Sequence, residues 1–351
     1  MQTITLRLGL HRPTIAKQRL YSELTARTTA LANNLVTAGR PKGLSSMTAA
    51  SYLSSPIPAA VLNQALRDVQ AAKKVKRFRV LPPSFNNQNL SLKRVGDFWT
   101  ASFPTHEGRV RVPLTVTDRQ STHLEKLGST VKQGAAKLYA KRGRWYLALS
   151  ITVQVTPCVG TKVAGIDLGL RNLAVAVCGN ETLFFSGDHA AYVRRRFSAL
   201  RTRMGKAKAL SAIRRMKGKE AHWMRDLDHK ISREIVNWCL ARGVSTIRME
   251  DLSGIRFRHQ RDRKDRGRSL HSWAFRQLQR FIAYKAILAG MKVEWVIPAN
   301  TSRACPECGV VDESNRNGIV FLCRHCSHKE HADVVGGKNI SKAISGLAKA
   351  S

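Results

Sequence analysis

The sequence predicts a multidomain α+β protein, and three patterns in it favour this fold class. In the first half of the chain, apolar residues alternate with polar ones over short runs, which is typical of half-buried strands. The second half combines short apolar runs with a long amphipathic helical region, as a mixed α/β domain does. Near the carboxyl end, two Cys-x-x-Cys pairs predict a small metal-binding ribbon. We expect the boundary between the two halves near residues 157–162.

The first domain, residues 1–156, is predicted to be a β-rich module that carries a helical part at about residues 12–75. It begins with an alternating strand around Leu6, and two amphipathic helices follow. Short strands bounded by turns take over from about residue 77. A long strand at 147–155, again with alternating apolar residues, closes the module.

The second domain, residues 157–351, is predicted to contain strands and helices in alternation. The expected elements are a meander of three strands at 163–186, a basic helical region at 192–242, a buried strand at 246–252, a helix at 272–290 and a strand at 292–298. Between the buried strand and the next helix, the arginine-rich residues 256–268 contain few apolar side chains and predict a flexible basic loop.

The charge of the chain indicates its class of partner. The sequence has 60 Lys and Arg against 23 Asp and Glu, a net charge of +37, and a phosphate backbone is the polyanion that would offset it. Because ribosomal proteins and histones are similarly basic, charge indicates the partner but not the activity. We expect no membrane span and no signal peptide, since neither a run of about 18 apolar residues nor an apolar leader is present. Seven cysteines then indicate reduced thiols in the cytosol.

The strongest local motif is the pair Cys305 and Cys308 followed, after fourteen residues, by the pair Cys323 and Cys326. Two such knuckles at this separation provide four thiolates for a tetrahedral Zn²⁺ site. The alternative is four unrelated buried thiols. If zinc binds, cysteine fills all four coordination positions, so the zinc is structural and not catalytic.

Three acidic motifs predict a second kind of metal site. Asp167 ends a buried apolar strand between two glycines, Glu250 and Asp251 end another, and Asp333 follows the cysteine motif at a helix start. Each has an ordinary alternative: a hairpin turn, a polar strand end, and an acid at a helix dipole. The sequence does not choose between Glu250 and Asp251. Together, three carboxylates from separate elements fit a two-metal site holding two Mg²⁺ about 4 Å apart.

The order of these motifs resembles the transposon-encoded TnpB family, which is related to the compact type V CRISPR effectors. The clear resemblance covers about residues 160–345, and the first 156 residues match only in outline. The matching segments are residues 165–172, 229–236, 249–252, 272–285, 301–309, 323–326 and 332–340.

The resemblance implies an RNA-guided DNA endonuclease with an RNase H-like (RuvC) α/β domain and a zinc ribbon inserted at 301–329. The first domain would be a wedge β-barrel with a helical recognition insertion that reads a short motif beside the target. Asp167, Glu250 and Asp333 would be the catalytic, magnesium-binding residues, and the four cysteines would bind zinc. The implied partners are a guide RNA and double-stranded target DNA, with no membrane and no small-molecule substrate, in a prokaryotic cytoplasm.

The chain departs from the family pattern around the last acid. Many members have Asp-x-Asp-x-Asn-Ala-Ala, whereas here His331, Val335, Gly336 and Gly337 replace the first Asp, the Asn and both alanines. Two adjacent glycines weaken a helix by roughly 1 kcal/mol each. Either the helix frays there, or the glycines admit the DNA strand to the metal site; alanine should be tolerated at both positions.

Four other functions compete with the guided nuclease. A guided repressor that has lost cleavage would be expected to lack one of the three acids. A compact type V CRISPR effector would differ only in its genomic context. A plain zinc-ribbon nucleic-acid binder leaves the ordered carboxylates unexplained. A DDE transposase also uses three acids, but a zinc ribbon just before the last acid argues against it.

Overall fold

A computed structural model describes residues 1–216, 218–252, 275–298 and 300–343 of the chain. Its contacts divide the chain into two compact units, Met1–Gln154 and Val155–Ser351. No helix among the described residues combines the length and the apolar character that crossing a membrane requires.

The first unit is built on one antiparallel sheet of seven strands in the order β2-β6-β7-β1-β5-β4-β3. The strands are β1 (Gln2–Leu10), β2 (Ser84–Phe85), β3 (Ser91–Val95), β4 (Phe98–Thr105), β5 (Gly108–Thr115), β6 (Val131–Lys141) and β7 (Arg144–Val153). The helices are α1 (Ile15–Thr37), α2 (Ala59–Ala71) and α3 (Asp118–Glu125). The edge strands β2 and β3 are not paired with each other in the described residues, so closure into a barrel stays a prediction.

Alternation of apolar residues explains the central strand of this sheet. Leu6, Leu8 and Leu10 are buried, whereas the residues between them are partly or fully exposed. Strand β1 pairs with β7 along nearly its whole length, and one face of α1, including Tyr21 and Leu24, packs into the same core. The predicted helical part between the first strand and the later strands is present as α1 and α2.

The second unit contains a five-stranded mixed sheet in the order β10-β9-β8-β11-β12. Its strands are β8 (Lys162–Asp167), β9 (Asn172–Cys178), β10 (Glu181–Ser186), β11 (Val244–Glu250) and β12 (Lys292–Val296). Its helices are α4 (Asp188–Lys206), α5 (Leu210–Met216), α6 (Lys219–Ala241), α7 (Phe275–Leu288) and α8 (Ala332–Lys342). The predicted meander is confirmed as β8, β9 and β10, which are antiparallel, while β11 runs parallel to both β8 and β12. The predicted loop at 256–268 and the first residues of the helix predicted from 272 lie outside the described residues.

A second, three-stranded sheet lies between β12 and α8. It consists of β13 (Arg316–Asn317), β14 (Val320–Leu322) and β15 (Lys329–His331), all antiparallel. The turn between β13 and β14 contains Gly318 at φ 61°, a left-handed conformation that glycine adopts without strain. Strand β15 runs directly into α8, so this ribbon is connected to the main sheet through one helix.

Alternate residues of the main sheet face different helices. Ala174 and Ala176 of β9 belong to the core that α6 and α7 cover, whereas Val175 and Val177 pack against Val334 of α8. Successive side chains of a strand point to opposite faces, so this pattern follows from the strand geometry alone. The sheet is therefore covered by α6 and α7 on one face and by α8 on the other.

The two adjacent glycines of α8 lie at the closest approach of the helix to the sheet. A Cβ atom added to Gly337 would lie 2.4 Å from Cγ2 of Val177, and one added to Gly165 of β8 would lie 2.0 Å from the carbonyl oxygen of Gly337. Both α8 glycines are buried, and the helix continues beyond them to Lys342. The fraying explanation is therefore wrong, and it is strand β9, not DNA, that occupies the space beside Gly337.

Because of this contact, Gly337→Ala should not be tolerated, contrary to the expectation from the sequence. Overpacking should lower the free energy of unfolding by about 1–3 kcal/mol, measured by urea denaturation. The double variant Val177→Ala/Gly337→Ala should lose less than the sum of the two single losses.

Gly205→Ala is the matched control, since Gly205 lies inside α4 with no atom within 4 Å of the added Cβ. It should be neutral or stabilising by up to about 1 kcal/mol. Equal stability of Gly337→Ala and the wild type would show that the helix does not lie this close to the sheet.

Candidate functional site

Two carboxylates stand side by side at the ends of the parallel strands β8 and β11. Ile166 pairs with Met249, and both side chains are buried in the core under α6 and α7. The next residues, Asp167 and Glu250, therefore point to the opposite face, which α8 covers. The structure thus places Glu250 beside Asp167, while Asp251 is exposed and one residue out of register.

Asp167 has the most perturbed acidity of the site. Burial, together with the negative charges of Glu250 and Asp333, raises its pKa from 3.8 to about 7. The positive charge of Arg316 and the backbone N–H of Leu168 act in the opposite direction. A carboxyl group that lies near two other acids is suited to bind a cation, because the positive charge would offset the negative charge of the group.

Both the side chain and the backbone of Glu250 accept hydrogen bonds. Its carboxylate accepts a hydrogen bond from the hydroxyl of Thr301, and its backbone carbonyl accepts one from Nε2 of Gln279, at 2.7 Å. Burial raises the pKa of Glu250, although the Thr301 hydroxyl and Arg316 oppose the shift.

Asp333 reaches the site from the first turn of α8 and is 9% exposed. Its Oδ2 accepts a hydrogen bond from Nδ2 of Asn172 at 2.8 Å, and its Oδ1 accepts one from Nη2 of Arg316 at 3.0 Å. His331 caps the helix, since its Nδ1 accepts the N–H of Asp333 at 3.2 Å. The residue that replaces the family's first aspartate therefore has a structural role here.

Gly336 lies beside Asp167. A Cβ atom at position 336 would come within 2.9 Å of Oδ2 of Asp167 and 3.2 Å of its Cγ. Without that atom, the carboxylate of Asp167 has room beside the helix, so this glycine contacts the site itself whereas Gly337 contacts β9.

Three polar residues that contact the acids were given no role by sequence reasoning: Asn172, Thr301 and Arg316. Asn172 begins β9, and Arg316 lies on β13 of the ribbon, yet both donate to Asp333. Asn172 ends the matching segment 165–172, but local pattern does not show its contact, because its acceptor lies 161 positions away. For Arg316 the acceptor lies 17 positions away. Arg316 brings positive charge from the ribbon to the three acids.

The four cysteines of the ribbon converge as their spacing predicts. Their sulfur atoms all lie within 4.8 Å of one another, with Cys305 Sγ 3.6 Å from Cys326 Sγ and Cys308 Sγ 3.5 Å from Cys323 Sγ. Sulfur atoms about 2.3 Å from a tetrahedral zinc ion would lie roughly 3.8 Å apart, so the group has the size that zinc requires. A backbone N–H from Cys326 lowers the pKa of Cys323 to about 6, which favours a thiolate.

Asparagines tie this ribbon together and to α8. Nδ2 of Asn315 donates to the carbonyls of Arg303 and Val310, and its Oδ1 accepts the N–H of Arg324, so it joins both cysteine knuckles. From α8, Nδ2 of Asn339 donates to the carbonyls of Thr301 and Ala304 at 2.7 and 2.8 Å. The cysteine group is therefore held in a fixed position relative to the helix that carries Asp333.

Comparisons with known proteins cover most of the chain. A family model described as a probable transposase matches residues 147–256, and one described as a Cas12f1-like TNB domain matches residues 275–340. A TnpB-like protein of Methanocaldococcus jannaschii is 35% identical over 135 residues, which cover 38% of this chain and 48% of that protein. The CRISPR-associated endodeoxyribonuclease Cas12f1 of Sulfoacidibacillus thermotolerans is 32% identical over 298 residues, which cover 75% of this chain and 68% of that protein. The chain belongs to the TnpB family.

A solved structure has a similar fold over most of this TnpB-family chain. The Cas12f1 chain in a complex with guide RNA and target DNA superposes with a TM-score of 0.68 at 15% identity, covering 93% of this chain and 83% of that one. The mixed α+β fold is therefore that of the Cas12f effectors. The chain spans about two thirds of the Cas12f1 relative and about half of the TnpB-like one.

Replacing a ribbon cysteine should remove a bound metal. Cys305→Ser or Cys326→Ser should lose zinc, which we expect at about one ion per chain in the wild type, and should lower the thermal midpoint, because a closed thiolate site stabilises the fold. Zinc is measured by elemental analysis of the purified protein. Cys158→Ser is the control, since Cys158 lies away from the four-sulfur group. Wild-type protein free of zinc would contradict the assignment.

The acidity of Asp167 should make stability depend on pH. Its folded-state pKa of about 7 exceeds 3.8, so the folded protein keeps a proton that the unfolded chain releases. The contribution of Asp167 to the free energy of unfolding is therefore present at low pH and is lost as pH rises towards 7. The free energy of unfolding is measured with urea at pH 5 and at pH 7.5, without added divalent cations. Between these two pH values, Asp167→Asn should become more stable relative to the wild type by about 2 kcal/mol. Asp251→Asn is the control, and parallel profiles for Asp167→Asn and the wild type would disprove the shift.

Proposed function

We propose that this TnpB-family protein is an RNA-guided DNA endonuclease that cuts its target beside a short recognition motif through a RuvC-like site. The observation that carries the proposal is the convergence of Asp167, Glu250 and Asp333 from β8, β11 and α8 on one face of the sheet. The name of the Cas12f1 relative as an endodeoxyribonuclease supports DNA as the substrate that is cut.

The three carboxylates have the chemistry of a magnesium site. Their oxygens are the ligands that Mg²⁺ prefers, and the raised pKa of Asp167 reflects its burial and the negative charges of its two acidic neighbours. Two Mg²⁺ ions bound there would supply an activated water and would stabilise the leaving oxygen of phosphodiester hydrolysis. Asp167, Glu250 and Asp333 would hold these ions.

The surrounding residues orient the carboxylates and receive the phosphate. Thr301 fixes the side chain of Glu250, and Asn172 fixes that of Asp333. Arg316 is partly exposed and faces the acids, so its guanidinium can donate to non-bridging oxygens of a phosphate that enters the site. The charge that develops on that phosphate in the transition state is what such a donor stabilises.

The ribbon holds Arg316 in place. Zinc bound by Cys305, Cys308, Cys323 and Cys326 would fix the hairpin that begins at Arg316, and Asn339 ties the ribbon to α8. In this proposal the zinc is structural, and its effect on cleavage acts through the position of the arginine.

The proposed partners are a guide RNA and double-stranded target DNA. The Cas12f1 structure that shares this fold is a complex with both. A net charge of +37 provides the electrostatic attraction that a heteroduplex held by its backbone requires. Base pairing would read the target sequence, and the first unit would read the adjacent motif.

A guided repressor without cleavage is the second candidate, and the presence of all three acids disfavours it.

A compact CRISPR effector would have the same chemistry but a different RNA. That RNA would come from a CRISPR repeat and not from a transposon end, and the two differ in sequence. Sequencing the RNA that copurifies with the protein therefore distinguishes the CRISPR effector from the transposon-encoded nuclease.

Cleavage and binding should separate when the acids are removed. Asp167→Ala, Glu250→Ala and Asp333→Ala should each abolish cleavage of a target DNA, while guide and target binding stay close to the wild type, because basic residues elsewhere hold the nucleic acids. Asp251→Ala and Glu330→Ala are the controls and should cut nearly normally. If any of the first three variants cuts at the wild-type rate, the site assignment fails.

Arg316 should matter for rate more than for binding. Arg316→Ala should slow cleavage by about 10²–10³-fold, as expected for loss of one donor to the developing charge, with zinc content and target binding unchanged. Arg316→Lys should recover part of the rate. The control is Arg324→Ala, an exposed arginine of the same ribbon. A single-turnover rate for Arg316→Ala equal to that of Arg324→Ala would remove Arg316 from the mechanism.

A further inference from the structure

The unit Met1–Gln154 contains a group of metal-ligating side chains that the proposed nuclease chemistry does not use. They are Glu23 of α1 and the two central residues, His106 and Glu107, of the turn between β4 and β5. One ligand atom from each of the three lies within 4.8 Å of the other two. We call these three residues the hairpin cluster.

Local structure fixes the elements that carry the hairpin cluster. Thr105 pairs with Gly108 across the turn, and its hydroxyl donates to the carbonyl of Gly108 at 2.7 Å and accepts the N–H of Glu107 at 3.3 Å. In α1, Tyr21 is fully buried, and the centroid of its ring lies 5.7 Å from that of Phe103 in β4. The helix is therefore packed against the strand that leads into the turn, which keeps Glu23 beside the turn.

His106 is the buried member of the hairpin cluster. Its side chain is only 3% exposed, and its Nε2 faces both carboxylates, 3.2 Å from Oε2 of Glu23 and 3.9 Å from Oε1 of Glu107. The other ring nitrogen, Nδ1, is buried and has no hydrogen-bond partner among the described residues. A buried polar atom without a partner costs free energy, so an imidazole held in this way needs an explanation.

The charges of the hairpin cluster favour a bound cation. The two carboxylates repel each other, and a proton on Nε2 of His106 can be donated to only one of them. Arg27 lies 3.6 Å from Glu23, but no other Lys or Arg in the described part of the chain lies within 4 Å of either carboxylate. A divalent cation between the three side chains would interact favourably with both carboxylates and with the lone pair of the imidazole.

The distances and the ligand types fit a transition-metal ion. Nitrogen and oxygen ligands about 2.1 Å from a zinc ion lie roughly 3.4 Å apart in a tetrahedral site. The two separations at Nε2, 3.2 and 3.9 Å, are close to this value, and both glutamates are exposed, so their side chains can rotate to complete the site. Imidazole is a ligand that suits Zn²⁺ and not Mg²⁺. Three protein ligands leave one position for water, so such an ion would exchange with solution.

We propose that the hairpin cluster binds one exchangeable Zn²⁺ ion through Nε2 of His106 and the carboxylates of Glu23 and Glu107. The ion joins α1 to the turn between β4 and β5 and so adds a polar link to their packing in the core. This site is separate from the four cysteines, and the inference does not rest on the proposed nuclease activity.

The test is hydrogen exchange of the full chain, measured by mass spectrometry of its peptides with and without added Zn²⁺. The chain is dialysed beforehand, so that zinc bound by the four cysteines stays and weakly bound zinc is removed. At a free zinc concentration about ten times the Kd, exchange in the peptide that contains His106 and Glu107 should slow about tenfold. Mg²⁺ at the same concentration should leave that peptide unchanged, because imidazole is a poor ligand for it.

Two variants each remove one ligand. Glu107→Gln and Glu23→Gln keep the size of the side chain, and both glutamates are exposed, so the fold should survive. Each variant should lose the effect of zinc on the turn and should bind one zinc ion fewer per chain than the wild type in equilibrium dialysis. The control is Glu125→Gln, which neutralises an exposed glutamate of the same unit outside the hairpin cluster and should behave as the wild type does.

The proposal is overturned if zinc does not slow exchange in the turn, or if it slows exchange equally in the wild type, Glu107→Gln and Glu23→Gln. The first result is the one expected of a simple ion-pair cluster with a proton on His106. Equal protection by Mg²⁺ would also overturn it, since the histidine would then not be a ligand. The measurement is made on the turn itself, so none of these outcomes depends on zinc at the cysteines or on DNA cleavage.

Discussion

Helix α8 lies directly on strands β8 and β9, with backbone against backbone at Gly165 and Gly337. This contact brings the first turn of the helix, and with it Asp333, to the ends of strands that already carry Asp167 and Glu250. A side chain at either glycine would lift the helix away from the sheet by the thickness of a methyl group. Asp333 would then move away from Asp167 and Glu250, so the geometry of the site depends on two positions that have no functional group.

Such a cluster of acids costs stability, and the chain offsets the cost with donors from three separate elements. Asn172 comes from the meander, Thr301 from the segment after β12, and Arg316 from the ribbon. Hydrogen bonds to charged groups in a half-buried site are stronger than those in water, so these three donors orient Glu250 and Asp333. The ribbon is thus part of the site and not an appendage.

What the sequence could predict depended on local pattern. The meander, the buried fourth strand and the convergence of four cysteines follow from periodicity and spacing, and each is present in the structure. Glu250 and Asp251 could not be distinguished without the register that pairs Ile166 with Met249. The hydrogen-bond partners of Asp333 and the residue that packs against Gly337 could not be predicted either, because tertiary packing between distant segments determines them.

The location of Arg316 on a hairpin has a physical consequence for the proposed chemistry. An arginine buried in the core against three acids would form a permanent ion pair and would exclude a divalent cation from them. Arg316 instead has a side chain that is 33% exposed, on a strand of two residues next to a turn. Such an arginine can leave Asp333 when a cation with a higher charge binds there, and it remains close enough to reach the phosphate. A ribbon held by four cysteines keeps that movement local, because the hairpin is anchored at both ends while the arginine side chain rotates.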